Sequence, residues 1–99
     1  MQGRRAPDDS SISELYPGDY CLWTSGEEND NAPWQWVVCT PDGRTFGLAM
    51  PHMPDKNGQH HRVEVHEDRT ISVMPPGNSI LSPGGWHGYL DHGVWVEAE

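Results

Sequence analysis

Apolar and polar residues alternate along most of the chain from residue 34 onward, and the alternation is interrupted at short intervals by turn residues. Trp34-Gln35-Trp36-Val37-Val38-Cys39-Thr40 runs into Pro41-Asp42-Gly43 and returns as Arg44-Thr45-Phe46-Gly47-Leu48-Ala49-Met50. A two-residue period on both sides of a Pro-Asp-Gly loop predicts a β-hairpin, with the glycine taking the positive φ that closes it. A three-residue loop sets Thr40 opposite Arg44, Val38 opposite Phe46, Trp36 opposite Leu48 and Trp34 opposite Met50, with the apolar pairs on one face. A second hairpin is predicted from Arg62-Val63-Glu64-Val65-His66 and Thr70-Ile71-Ser72-Val73-Met74 around Glu67-Asp68-Arg69. Only an odd loop brings Val65 across from Ile71 and Val63 across from Val73, so three residues are expected.

The third hairpin is read from Trp86-His87-Gly88-Tyr89-Leu90, Asp91-His92-Gly93 and Val94-Trp95-Val96-Glu97-Ala98. With a three-residue loop Leu90 faces Val94, and His87, Tyr89, Trp95 and Glu97 share the opposite face. That places His87 beside the Glu97 carboxylate and pairs Tyr89 with Trp95 away from the core. Cover by Ile12, Leu15 and Tyr16, or by a partner, is expected there. One more strand, Asp19-Tyr20-Cys21-Leu22-Trp23-Thr24, follows Pro17-Gly18. Residues 1–11 lack a periodic apolar pattern and read as a flexible N-terminal arm, with a turn of helix from Ser11 to Leu15. The expectation is all-β: a small antiparallel sheet of about seven short strands, curled into a barrel or sandwich, with 12–99 as its single β domain.

Composition narrows the function classes. Gly (11) and Pro (9) make up a fifth of the 99 residues, in keeping with short strands and many turns. Fifteen acidic against six basic residues give a formal charge of −9, which disfavours direct contact with nucleic acid or an anionic membrane and favours a basic protein partner. No apolar run reaches the roughly 18 residues of a membrane span. Cys21 and Cys39 both fall inside strands, so buried reduced thiols are expected rather than a disulfide framework.

Six histidines raise the question of a metal. His52, His60, His61 and His66 are the set from which a zinc site could be assembled, but no His-x3-His or Cys-x-x-Cys pair is present. The His87–Glu97 pair has the composition of a general acid or base, yet no nucleophile or anion hole accompanies it. The chain is therefore expected not to be an enzyme and to carry no cofactor. Candidate partner-binding residues are the acids Glu27, Glu28, Asp30, Glu64, Glu67 and Asp68, together with Trp23, His87, Tyr89 and Trp95.

The segments Thr70-Ile71-Ser72-Val73, Pro76, Ser79-Ile80-Leu81, Gly85-Trp86-His87-Gly88-Tyr89-Leu90 and Gly93-Val94-Trp95 resemble the tail of small uncharacterised proteins encoded by bacteriophages and prophages. The chain departs from that pattern by spreading Pro-Ser over Pro76-Gly77-Asn78-Ser79, and it lacks the clustered cysteines of related bacterial proteins. The resemblance covers about thirty residues and brings no established activity with it; with a phage origin two roles compete, the first favoured by the charge, and a zinc-binding protein or enzyme trails both. The first is a small acidic inhibitor in the cytoplasm of an infected bacterial host, occupying the basic surface of a nucleic-acid-binding or defence protein. The other is a virion module, decorating the capsid or associated with the tail, that forms homo-oligomers through an aromatic sheet face.

Overall fold

A computed structural model describes residues 1–24, 34–51, 54–74 and 78–98. It is all-β, with nine described strands in three sheets and no closed barrel. The first sheet has the order β1 (Arg4–Arg5), β2 (Asp19–Trp23), β3 (Gln35–Cys39), β4 (Thr45–Gly47). The second pairs β5 (Arg62–Val65) with β6 (Ile71–Met74), and the third orders β7 (Ile80–Leu81), β8 (His87–Asp91) and β9 (Val94–Glu97).

Two of the three hairpins adopt the register that their loops predict. Val38 lies opposite Phe46, and Thr40 N–H donates to the Arg44 carbonyl at 3.0 Å across the Pro-Asp-Gly loop. Val63 lies opposite Val73 and Val65 opposite Ile71. Burial differs at two positions. Trp34 remains 39% exposed, and Val65 remains exposed because β5 is at the margin of the packing.

The third hairpin departs from expectation by one residue. Asp91 pairs with Val94, Leu90 with Trp95, Tyr89 with Val96 and Gly88 with Glu97. The loop is thus His92-Gly93, two residues rather than three. Both have positive φ, 48° and 77°, as a type I′ turn requires, and that turn matches the twist of the flanking strands. A slip of one residue moves every side chain of one strand to the other face. Trp95 consequently turns inward and is 2% exposed, while Val96 takes the outer face.

Alternation along β2 and β3 feeds two cores. Tyr20, Trp36 and Val38 face the main one, which also holds Leu48, Met50, Ile71, Val73, Ile80, Leu90 and Trp95. Cys21, Val37 and Cys39 face a smaller one, closed by Ala6 and Leu15 and flanked by Trp23. Both thiols are free and buried there, and burial pushes that of Cys21 up.

The largest correction concerns residues 1–11, which do not behave as an arm adding little to the core. Trp95 N–H donates to the Met1 carbonyl, and Gly3 N–H donates to the Gly93 carbonyl at 2.7 Å. Gln2 bridges Val94, so residues 1–3 lie along β9. Residues 4–6 then run parallel to β2: Arg4 N–H donates to Gly18, and Ala6 N–H donates to Tyr20 at 2.8 Å. Arg5 lies over the Trp36 ring at 4.8 Å. A strand edge offers unpaired N–H and C=O groups, and here one short segment satisfies two edges in different sheets. The turn at Ile12–Glu14 is a 3-10 turn, with Glu14 Oε1 accepting the Ser11 N–H at 2.8 Å. Leu15 covers the small core, while Ile12 and Tyr16 are exposed and do not cover the third hairpin.

Gly93 combines two constraints, its φ of 77° and the closeness of the Tyr20 hydroxyl and Thr70 methyl to any added Cβ, at 2.9 and 3.0 Å. Gly43 has a similar φ of 85° but open space. Gly43→Ala is expected to cost about 1 kcal/mol, the backbone term alone, and Gly93→Ala about 2–3 kcal/mol. Urea denaturation of the two variants measures the difference, and equal losses would contradict the packing described for Gly93.

Candidate functional site

The outer side of the second and third sheets holds the most distinctive exposed chemistry. By register, Glu64 and Ser72 share a side of the β5–β6 pair, and His87, Tyr89 and Asp91 share a side of β8. Tyr89 is 37% exposed, its cross-strand neighbour Val96 is 53% exposed, and Leu81 stands on β7 opposite His87. Met74, Asn78, Tyr89, Asp91 and Val96 line a cleft of about 500 Å³ between β6 and the third sheet. The His87 and Tyr89 rings are 6.4 Å apart at a tilt of 41°.

A polar cluster joins the two sheets beside this cleft. Ser72 is buried, and its hydroxyl lies 2.8 Å from Asp91 Oδ1, 2.7 Å from His66 Nε2 and 2.9 Å from the His92 backbone N–H. Hydrogen bonds from Ser72 and then His92 hold the Asp91 carboxyl below its usual range, so it is an acceptor only. Ser72 has one proton, and Asp91 takes it. His66 Nε2 must therefore donate to Ser72 rather than accept from it, and the His92 ring donates through Nδ1 to Asp91 at 2.8 Å. The two imidazoles stack with centroids 3.9 Å apart and planes within 8°. Glu64 is 3.7 Å from His66 Nδ1. Serine, histidine and carboxylate meet here, but the proton direction is wrong for a nucleophile: His66 gives Ser72 a hydrogen bond instead of drawing its proton away.

The cluster does structural work, since Ser72 satisfies groups from β5, β8 and the His92-Gly93 turn together. Ser72→Ala removes all three bonds and leaves the partly buried His92 N–H without its acceptor. The expected loss is about 1–3 kcal/mol in urea denaturation. A variant as stable as the parent would show that water replaces the hydroxyl.

The predicted site residues divide into four groups. Glu64, Glu67, Asp68, His87 and Tyr89 are exposed, the first three at or beside the β5–β6 turn. Asp68 also shapes that turn by accepting from Thr70 N–H and Oγ1. Trp23 is half-buried at the end of β2, where its Nε1 donates to the Ser10 carbonyl at 2.8 Å. Trp95 is not on a binding face. It is in the core, and its Nε1 donates to the Gly18 carbonyl at 2.9 Å. The same shift in register separates His87 from Glu97, which faces Gly88. Glu27, Glu28, Asp30 and His52 lie outside the described residues.

His60 and His61 border a small cleft with Asp55, distant in role from His66, which is held by Ser72. Among the described residues no group of three or more His, Cys, Asp or Glu side chains is placed to hold a metal ion, and no helix is long and apolar enough to cross a membrane. Sequence reasoning missed the Ser72 cluster. Its one signal was a serine between Ile71 and Val73 in a strand, because the approach of β6 to β8 has no local signature.

Two carboxylates elsewhere serve the fold. Burial alone would raise the Asp19 carboxyl, but the Arg4 guanidinium, which bonds both its oxygens at 3.1 and 2.8 Å, and the Tyr16 N–H outweigh it and hold it low. Burial acts likewise on Asp42, where Thr40 and Ser82 hydroxyls reverse it. A carboxyl lowered by folding stabilises the fold above its unfolded pKa and loses that contribution as pH falls through the folded value. The chain is expected to weaken on acidification below about pH 4, the ordinary carboxylate range. Asp19→Asn should be less stable at neutral pH and flatter across that window. Thermal midpoints measured from pH 6 down to 2 test it, and an unchanged slope in the variant would remove Asp19 from the account.

No protein-family model, no curated protein and no solved structure matches the chain.

Proposed function

We propose that the chain is a small, acidic, non-enzymatic binding protein that docks through the outer face of β8 and β9 on a basic surface of another protein. The observation that carries this reading is the juxtaposition of exposed Leu81, Tyr89 and Val96 with the cleft beside Met74, on a chain of net charge −9. Asp91 lines that cleft from β8, Glu64 pairs across β5–β6 with Ser72, which bonds Asp91, and Glu67 and Asp68 are exposed in the β5–β6 turn. An exposed tyrosine amid apolar neighbours suits the centre of an interface, and a net charge of −9 suits the steering of a basic partner. A resemblance of the last third of the chain to phage and prophage proteins would suit a host-directed role: occupying a groove that otherwise takes nucleic acid.

The test is affinity capture from bacterial lysate with the parent chain and with a Tyr89→Glu, Val96→Glu double variant side by side. Both positions are exposed, so the variant is expected to fold. The expected result is a basic protein retained by the parent in a salt-sensitive way, lost from the variant, and displaced by DNA in a competition assay. Identical capture by both chains would sink the reading. Self-association of the parent in light scattering, abolished by the same substitutions, would favour the alternative of an oligomerising virion module over an inhibitor.

A further inference from the structure

A second hollow lies away from the sheet face, between the 3-10 turn and the end of β2. Asp9, Ser10, Ser11, Ile12, Ser13 and Trp23 line an open depression of about 580 Å³ there, a volume in the range of small-ligand sites. Its back wall is rigid. Trp23 is pinned through Nε1 to the Ser10 carbonyl and packs against the small core, and Ile12 adds an apolar side.

The polar side chains of the hollow are one carboxylate and serine hydroxyls, all with acceptor capacity. Asp9 accepts from Thr24 Oγ1 at 2.7 Å and from Thr24 N–H at 2.6 Å, and these bonds keep its carboxyl below the usual range and ionised. Each oxygen keeps further lone-pair capacity. Ser11 and Ser13 share a single bond between their hydroxyls at 3.1 Å and can accept more. An apolar indole, a fixed anion and hydroxyl acceptors together suit a cation on an apolar stem. A planar guanidinium fits best, because it stacks on indole and presents several donors at once.

The two arginines of the same N-terminal segment are engaged elsewhere. Arg4 is held by Asp19, and Arg5 bonds Asp8 and the Arg69 carbonyl while lying over Trp36. Residues 25–33, which follow Thr24, contain Glu27, Glu28 and Asp30 and no basic residue. We propose that the Trp23 hollow is a binding site for an arginine side chain of a partner peptide or protein. It is independent of the Tyr89 face, and either can fail alone.

The experiment is a titration of the ¹⁵N-labelled full chain with N-acetyl-arginine amide and, separately, with N-acetyl-citrulline amide, its neutral isostere. Arginine is expected to shift the Trp23 indole N–H and Thr24 amide signals saturably in the millimolar range, with citrulline about fivefold weaker or more. Asp9→Asn should weaken arginine by a similar factor of about five while leaving the rest of the spectrum in place, since asparagine tolerates the φ of 62° found at Asp9. Ile12→Ala, at an exposed position, supplies a second variant and should also weaken binding. Equal binding of citrulline, unchanged binding by Asp9→Asn, or no saturable shift at Trp23 would each overturn the proposal.

Discussion

Trp95→Ala is expected to remove a large share of the chain's stability at 25 °C. Truncating a buried tryptophan costs about 3–5 kcal/mol, and a domain of about 100 residues has only about 5–15 kcal/mol in total. Trp95 is the largest fully buried side chain, it meets the Trp86 ring edge-on at 5.6 Å, and its indole N–H reaches across the core to the Gly18 carbonyl. Alanine removes the filler and the donor together. Trp95→Phe keeps most of the apolar area and should be the milder variant, losing about 1–3 kcal/mol as the Gly18 carbonyl keeps only the Arg4 N–H. Tyr89→Ala, on the outer face, should stay within about 1 kcal/mol of the parent. Urea denaturation of these three variants reads the register of the third hairpin directly. Comparable losses at Tyr89 and Trp95 would mean that the two rings share one face and that the two-residue turn is wrong.

That hairpin shows where local sequence stops being sufficient. Pro41-Asp42-Gly43 and Glu67-Asp68-Arg69 close loops whose length is fixed by the apolar pairs on each side, and both registers were legible for that reason. Asp91-His92-Gly93 is ambiguous. Leu90 meets an apolar partner whether it faces Val94 or Trp95, so the pattern tolerates either parity, and the outcome rests on His92 accepting positive φ. The outer residues Tyr89 and His87 were legible because β8 alternates cleanly. Trp95 was misplaced because its strand partner was. The Ser72 cluster required knowing that β6 lies beside β8, a contact between segments nineteen residues apart that no turn signal encodes. The role of residues 1–6 was hidden for a related reason. Their sequence lacks apolar periodicity because they are held mainly through backbone groups, and what they satisfy is the need of two strand edges elsewhere.

Deletion of residues 1–6 is accordingly expected to be as damaging as Trp95→Ala. It exposes the edges of β2 and β9 at once, removing the bonds that Gly3, Arg4 and Ala6 donate to Gly93, Gly18 and Tyr20. It uncovers the small core where Ala6 sits, and it takes Arg4 from the buried Asp19 carboxylate. Leaving a buried charge without its partner costs about 3–5 kcal/mol when burial is complete, and less here because Arg4 is itself largely exposed and the Tyr16 N–H still bonds Asp19. Single substitutions separate the terms. Arg4→Ala removes the ion pair and keeps the backbone pairing, so its loss should shrink at low pH as Asp19 is protonated. Gly3→Ala keeps the ion pair but forces a Cβ within 2.7–2.9 Å of the Gly18 and Gly93 carbonyls and the Trp95 indole nitrogen, prising the segment from both edges. Amide exchange adds a spatial readout. In Gly3→Ala the Trp95 amide, which donates to Met1, and the Ala6 amide, which donates to Tyr20, should lose protection, while the Val38–Phe46 ladder keeps it. A chain lacking residues 1–6 that unfolds at the parent's urea midpoint would show that these residues merely rest on the surface, and that β2 and β9 hold without them.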